Sequence, residues 1–437
     1  MHTERVAWRD GQWKLPFFTI WAGQAFSLFG SSLVGFALVW WLTAETGSAT
    51  ILALGTLFSL LPQIALGPLA GTLVDRWNRR RVMLVADSLI ALATLLLAAL
   101  FASGGAQTWH VLALMLIRAA GGTFHWPAMQ ASTTLMVPDK HLARVAGLNQ
   151  TLQGLQSIVS PPAGALLYAV LPLPGILLID VGTALLAVAP LLAIDIPQPE
   201  RPPAAAQSVR PSVWQDMLDG FRYVRAWPGL LAVIVMAVVL NLLANPAFSL
   251  MPLLVTDHFG GGATELGWLE SAWGIGMLVG GLTLSVWGGF KRRVLTSLLA
   301  IIGQAIGMLI LGLAPATLFG LAVAGLFLAG FMSPIVNGPF FAMMQSTIAP
   351  EMQGRVLSLV GAAMQAMTPL GLLVIGPLAD VTGVRAPMIV AGVVSLVMGA
   401  GALFVPAIMT IETNRREVVG AGGREASQPD EAVASAG

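Results

Sequence analysis

The feature that most constrains this chain is a series of about twelve apolar stretches, each long enough to cross a bilayer as a helix. Hydrophobic residues make up 56% of the chain and charged residues only 10%, which is far from soluble usage. Backbone groups in hydrocarbon must bond within their own segment, and no stretch alternates as a barrel strand does. We therefore predict an all-α membrane protein whose spans cover 16–42, 50–74, 82–102, 108–136, 143–169, 172–194, 229–256, 264–288, 293–313, 316–347, 355–381 and 385–410.

The basic residues indicate which way the spans are oriented. If the N-terminus lies in the cytoplasm, all of the 22 lysines and arginines except Arg118 and Arg385 fall on the cytoplasmic side. Because the cytoplasmic excess of basic residues is the main determinant of orientation, we predict a multi-pass protein of the bacterial cytoplasmic (inner) membrane with both termini inside.

The chain repeats itself at a constant offset of 212 residues. Matches at one offset, with matching hydropathy, favour two six-helix bundles related by an axis along the membrane normal. Since this repeat is complete within one chain, a monomer suffices. The matching pairs are Pro127 and Pro339, Pro138 and Pro350, Arg80-Arg81-Val82 and Arg292-Arg293-Val294, Gln153 and Gln365, Gly164 and Gly376, and Leu166 and Leu378.

Between the two halves lies a Pro-rich stretch that a continuous helix would not tolerate. It is followed by Trp214, Leu218, Phe221 and Val224 at helical spacing, a pattern typical of a helix on the membrane surface. The small and polar residues at the C-terminus predict a disordered tail. The expected organisation is a first bundle at 1–194, a cytoplasmic linker with an interfacial helix at 195–228, a second bundle at 229–410 and a cytoplasmic tail at 411–437.

The connection after the second span reads GPLAGTLVDRWNRRR from Gly67 to Arg81 and resembles the loop signature of the major facilitator superfamily. Asn78 stands where that signature has glycine, so we expect a left-handed backbone there. The resemblance implies that Asp75 faces the N-terminal end of the eleventh helix near Arg355 and holds the inner gate closed. The basic residues after it could equally do no more than fix topology. The candidate gating residues are Gly71, Asp75, Arg76, Arg79 and Arg80.

Two further motifs resemble those of drug:proton antiporters. In the fourth span Leu114, Arg118 and Gly122 have the spacing of an intramembrane-arginine motif, and in the fifth span Pro161 and Gly164 remain from the antiporter motif. Over almost its whole length the chain most resembles the macrolide-efflux group, which also includes siderophore exporters. This resemblance implies the major facilitator fold and proton-driven export.

Uncharged polar residues lie along several spans, and in lipid such residues face either protein or a watery cavity. On the fifth span Asn149, Gln153, Gln156 and Ser160 form a single helical stripe. The stripe either joins helices or lines the transport pathway. The candidate cavity residues are Gln24, His125, Trp126, Asn149, Gln153, Asn241, Asn245, Asn337 and Gln365.

Four ionisable residues lie clearly within spans: Arg118, Asp87, Asp180 and Glu270. A charge near the bilayer centre is costly by roughly 2.5–3.5 kcal/mol, so each should face a partner or a cavity. We expect Arg118 to act with one of the three acids in proton coupling, the alternative being that it bonds carbonyl groups and joins two helices.

Other classes of function find little support. The five histidines are scattered without a metal-binding pattern, and none of the three lysines follows a glycine as in a Walker A loop. We therefore expect no enzyme activity, no cofactor, no metal and no nucleic-acid partner. The predicted function of this membrane-embedded chain is proton-coupled efflux of amphipathic small molecules, which are drug-like, macrolide-like or siderophore-like. An importer or uniporter of a metabolite or a lipid-derived amphiphile is the alternative.

Overall fold

The computed structural model describes residues 13–198 and 213–412. Every regular element in these two ranges is helical, which confirms the predicted all-α class. Each predicted span corresponds to one long helix. The elements are α1 (Lys14–Thr46), α2 (Ala49–Arg76), α3 (Arg79–Ala102), α4 (Thr108–Met136), α5 (Asp139–Val170), α6 (Leu173–Ala193), α7 (Val213–Arg225), α8 (Pro228–Ser249), α9 (Met251–Leu253) with a π-helical turn (Leu254–His258), α10 (Ala263–Trp287), α11 (Arg293–Leu313), α12 (Phe319–Thr347), α13 (Pro350–Thr382), α14 (Arg385–Ala402) and α15 (Pro406–Met409).

By length and composition alone, ten of these helices could cross a membrane. The two other long helices, α4 and α5, fall short because α4 carries Arg118 and α5 carries the predicted polar stripe. Both pack lengthwise against helices that qualify, α4 against α2 and α3, and α5 against α1 and α10. We therefore treat all twelve as membrane-spanning.

Two predicted spans are shorter as helices than the sequence indicated. The seventh ends at Ser249 and continues through α9 and the π-helical turn, and the twelfth ends at Ala402 before α15. In both cases a proline, Pro252 or Pro406, stands at the start of the following short helix, where its missing N–H costs nothing.

The expectation of a left-handed backbone at Asn78 is wrong. Asn78 has φ −70° and ψ 112°, and its side chain accepts a hydrogen bond from the Arg81 N–H at 3.1 Å. Asparagine is therefore used here as the N-cap of α3, a role that it fills as well as any residue. The described left-handed positions on either side of Asn78 along the chain are Gly47, with φ 56°, which ends α1, and Gly104, with φ 71°.

Short connections make successive long helices antiparallel within each half, and the two ends of the described part, residues 13 and 412, lie on the same side of the bundle. We call this the terminal side and the opposite one the far side. On the terminal side the start of α8 packs against α15, and on the far side the Arg385 side chain bonds the Gly312 carbonyl at 2.9 Å. The first half comprises α1 to α6 and the second half α8 to α15.

Glycines let helices of the second half approach closely. A Cβ on Gly325 of α12 would lie 2.8 Å from the Gly307 carbonyl oxygen of α11, and a Cβ on Gly276 of α10 would overlap the backbone of α12. Small residues at such crossings are the usual way to pack helices in lipid, where no hydrophobic force drives association. The frame of the second half is thus held by backbone-to-backbone contact.

The two halves meet along two helix pairs, α5 with α10 and α2 with α13. In the first pair the Ser271 hydroxyl donates to the Ile158 carbonyl at 3.3 Å, and a Cβ on Gly267 would lie 3.1 Å from that of Ala165. In the second pair a Cβ on Gly376 would lie 3.0 Å from the Cβ of Ala53. Gly267, Ala165, Gly376 and Ala53 all belong to the far-side ends of their helices.

Candidate functional site

Arg118 of α4 bonds polar groups on three other helices of the first half. Its guanidinium forms an ion pair with Asp180 of α6 and donates to the Thr94 hydroxyl of α3 at 2.9 Å and to the Ser31 carbonyl of α1 at 3.3 Å. The Ser31 hydroxyl donates to the other oxygen of Asp180 at 3.1 Å. The predicted partnership of Arg118 with an acid therefore takes the form of a four-helix junction with Asp180.

A second polar cluster lies deeper toward the terminal side of the same half. The Gln24 amide donates to Asp87 at 3.0 Å, and His125 Nε2 lies 3.3 Å from the other Asp87 oxygen without the alignment of a hydrogen bond. All three side chains are buried, and Gln24 Oε1 has no hydrogen-bond partner among the described residues. The structure thus places Gln24 and His125 inside the first bundle, around Asp87, and not on an open cavity.

A cavity of about 630 Å³ is lined mostly by the second half. Its wall is mainly apolar and includes Phe248 and Trp273, whose rings are 4.7 Å apart. Three predicted residues, Asn241, Asn245 and Asn337, lie on this wall. The volume and the mixture of apolar walls with a few polar groups are those of sites for drug-sized ligands.

Glu270 of α10 lies at the boundary between this cavity and a second one of about 500 Å³. Ser157 and Pro161 of α5 line both cavities beside it, and Gln153 lines the second. Across residues 13–198 and 213–412, no side chain forms a hydrogen bond or an ion pair with the Glu270 carboxylate. Of the four ionisable residues, Glu270 alone faces cavities shared by both halves.

A further cavity of about 410 Å³ separates α2 from α8 and α13. Gln365 lies on its wall together with Asn241 and Asn245, and the Asn245 amide donates to the Thr368 hydroxyl at 3.2 Å. Gln153 and Gln365 therefore line different cavities, one at each of the two junctions between the halves. Their exposure to substrate stays a prediction.

Two predicted cavity residues lie elsewhere. The Asn149 side chain accepts a hydrogen bond from the Trp21 indole at 2.8 Å and so links α5 to α1. Trp126 of α4 is 38% exposed and lines none of the cavities described above. For Asn149 the geometry favours helix contact over pathway lining.

The structure describes the side chains of three of the predicted gating residues, Arg76, Arg79 and Arg80. Arg80 forms an ion pair with Asp195 and bonds the Leu191 and Leu192 carbonyls, which fastens the start of α3 to the end of α6. Arg79 is buried, and Arg76 ends α2 with its side chain exposed. The surroundings of Gly71 and the side chain of Asp75 lie outside what the structure describes. Arg355 forms an ion pair with Asp219 of α7 at 3.4 Å. Its predicted contact with Asp75 stays a prediction, because the Asp75 side chain is not among the described ones.

The remaining antiporter residues lie where α5 meets two neighbours. A Cβ on Gly164 would lie 2.9 Å from the ring of Phe36 in α1, so glycine is needed for that approach. Pro161 faces α10 and lines the two cavities beside Glu270. Both residues shape the junction between the halves.

Sequence reasoning gave no role to Asp380, which the structure places in a cross-half contact. Its carboxylate accepts from the Ala49 and Thr50 N–H groups at 2.8 and 3.2 Å. A signal was present, because a carboxylate in the last turn of a helix opposes the dipole of its own helix and calls for a partner elsewhere.

Comparison with known proteins adds the family. The Major Facilitator Superfamily profile matches residues 20–260 and 242–429. Macrolide efflux protein A of Streptococcus pyogenes is 36% identical over 374 residues, covering 85% of this chain and 91% of that protein. The multidrug efflux pump Tap of Mycolicibacterium fortuitum is 28% identical, covering 88% and 94%.

Solved structures share the fold at low identity. A bacterial homologue of the lysosomal transporter Spinster, in an inward-facing conformation, has a TM-score of 0.64 at 13% identity over 92% of this chain and 98% of that chain. A D-xylose–proton symporter has a TM-score of 0.62 at 13% identity over 88% and 96%. Importers and other transporters share the architecture, so the fold alone does not give the direction of transport.

Proposed function

The chain belongs to the major facilitator superfamily, and from this premise we propose that it exports amphipathic small molecules by alternating access, driven by protons. It is a multi-pass membrane transporter, and two relatives that cover most of its length, macrolide efflux protein A and the multidrug efflux pump Tap, are named as efflux proteins. Macrolides and other amphipathic drugs are the first substrates to test.

The observation that carries the proposal is the large cavity with Glu270 on its wall. A space of about 630 Å³ holds a drug-sized molecule. A carboxylate that has no cationic partner among the described residues is costly inside a membrane unless it takes up a proton or meets a positive charge. Binding space and a proton acceptor therefore lie at one place, as coupled transport requires.

Among the four candidates, we propose that Glu270 is the residue that carries the proton. Asp180 is bound to Arg118 and Ser31, and Asp87 is held by Gln24 beside His125. Protonating either acid would cost the bonds that it makes, whereas protonating Glu270 breaks none. Arg118 can still contribute if its pair with Asp180 opens during the transport cycle.

The terminal side is the cytoplasmic side in this proposal. That assignment follows the basic residues of the terminal-side connections. The described contacts between the halves concentrate on the far side, which under this assignment supports an inward-open state. Substrate would then reach the cavity from the cytoplasm or the inner leaflet and leave on the far side.

The proposal can be tested in inside-out vesicles that contain the protein in their membrane. A macrolide and a fluorescent amphipathic dye should accumulate when the membrane is energised, and a protonophore should abolish the accumulation. Vesicles without the protein provide the background. Accumulation that persists unchanged with the gradient collapsed would exclude proton coupling, and uptake only in right-side-out vesicles would favour the importer alternative.

A further inference from the structure

The far-side end of α13 is bound to the start of α2 through one carboxylate. Asp380 accepts hydrogen bonds from the Ala49 N–H at 2.8 Å, the Thr50 N–H at 3.2 Å and the Thr50 hydroxyl at 2.5 Å. The Ser48 hydroxyl, at 3.5 Å, stands at the limit of hydrogen-bonding distance. A side chain of the second half thus caps a helix of the first half.

This capping is electrostatically favourable for α2 and unfavourable for α13. The first turn of α2 has unpaired N–H groups and the positive end of the helix dipole, whereas Asp380 stands at the negative end of its own helix. Ser48 also caps α2, by accepting from the Ile51 N–H at 3.3 Å. A second, negatively charged cap is therefore not needed to begin the helix, so its value lies in joining the halves.

Packing around Asp380 shows where the two helices touch. Leu372 of α13 packs with Ala53 and Leu57 of α2 in one buried cluster on the far side. One to two turns farther toward the terminal side, Gln365 and Leu60 line the cavity that separates the same helices. The α2–α13 pair is therefore in contact near Asp380 and separated by a cavity farther along the two helices.

We propose that Asp380 is the far-side latch of the transport cycle, which must break for the far side to open. The inference rests on the alternating access of the proposed function, and on neither its substrate nor its coupling ion. Breaking the latch returns the α2 amides and the carboxylate to water together, so the contact can re-form in every cycle.

The same helix pair carries a second carboxylate at its other end. Asp75 is in the last turn of α2, as Asp380 is in the last turn of α13, and the two helices are antiparallel. If Asp75 meets the start of α13, each helix caps the other, one contact on each side of the membrane. The two latches then form in opposite states of the transporter.

The test uses the absence of cysteine from the chain. A reporter cysteine at Ala53, which is 3% exposed, should react slowly with a polar maleimide in the purified protein. In Asp380→Asn it should react about twofold to fivefold faster, as expected from losing one carboxylate at a helix N-terminus. Thr50→Val removes only the hydroxyl contact and should give a smaller increase.

Asp257→Asn is the matched control. Asp257 and Asp380 both line a far-side cavity, and the Asp257 carboxylate accepts a hydrogen bond from its neighbour Thr256 at 2.8 Å, within the second half. It should leave the reporter rate unchanged. An unchanged rate in both Asp380→Asn and Thr50→Val, or an equal rise in Asp257→Asn, would overturn the latch. Because labelling needs no substrate and no proton gradient, a failed transport assay leaves this result intact, and the reverse also holds.

Discussion

The two halves share one architecture but fill it differently. Where the first half places an ion pair and a buried acid, the second half has glycine or apolar residues at the equivalent positions, 212 residues later. These polar groups of the first half are consequently bound inside the bundle, whereas the large cavity is lined mostly by the second half. The correspondences are Arg118 to Gly330, Asp180 to Gly392, Asp87 to Leu299, Gln24 to Met236 and His125 to Asn337.

The difference shows how a duplicated bundle can divide its tasks. Met236 and Asn337 line the large cavity, whereas Gln24 and His125 at the equivalent positions enclose Asp87. The same places in the frame thus give a polar brace in one half and a wall for substrate in the other. Glu270, whose counterpart is Phe58, gives the second half the only acid on the cavity wall among the described residues.

The largest effect should come from breaking the ion pair between Arg118 and Asp180 in the first half. Asp180→Asn leaves the Arg118 guanidinium without its counter-charge, and removing one partner of a buried pair costs about 3–5 kcal/mol. Thermal unfolding in detergent should show a large loss of stability. Glu270→Gln is the matched control and should leave the unfolding temperature nearly unchanged. Equal losses in both variants would remove the distinction between the halves.

For proton coupling the order is reversed, and the change at Glu270 should have the larger effect. Glu270→Gln removes the proton acceptor beside the cavity, so proton-driven accumulation should fall by at least about tenfold while facilitated exchange of substrate continues. Arg118→Lys keeps the charge but loses the planar fork that reaches Asp180, Thr94 and Ser31. It should impair coupling more than folding, and unaltered pH dependence in this lysine variant would remove Arg118 from the mechanism.

The two proposed latches give a third comparison, between the ends of α2 and α13. Asp75→Asn should slow the maleimide reaction at the Ala53 reporter by about twofold to fivefold, opposite to Asp380→Asn. The double variant should return to the parent rate, because each change biases the same equilibrium in opposite directions. Additive changes of the same sign would contradict reciprocal latches.

The smallest effect is expected at the paired glutamines. Cysteines at positions 153 and 365 should both react with a small polar thiol reagent, and substrate should slow both reactions. The reason is that each position lines a cavity at one junction of the halves. Inert cysteines at both positions would favour a role in helix contact.

Much of the fold could be predicted from the sequence because lipid permits few solutions. Twelve apolar stretches, one repeat offset and the motif around Asp75 led to helices that the structure confirms, to within a few residues at most ends. The family resemblance was confirmed by the relatives and the profile. The exceptions, at Ser249 and Ala402, are places where hydrophobicity continues while the helix does not.

The site was harder to predict because polarity in a span does not say which way a side chain faces. Gln24 and Asn245 have similar sequence surroundings, yet one bonds Asp87 inside its bundle and the other borders a cavity. Helical spacing gives a face, but the neighbour on that face depends on the packing of distant helices. Asp380 was passed over for the same reason, since its partner is 331 residues away.

The glycine crossings of the second half bear on how such a protein can change in evolution. Because α10, α11 and α12 are held by backbone contacts at Gly276, Gly307 and Gly325, the frame makes little demand on the side chains that line the cavity. Substitutions on the wall can therefore accumulate without loss of the fold, and selection can retune the range of accepted compounds. The first half has less of this freedom, because a substitution of Arg118 or Asp180 leaves the other buried without its partner.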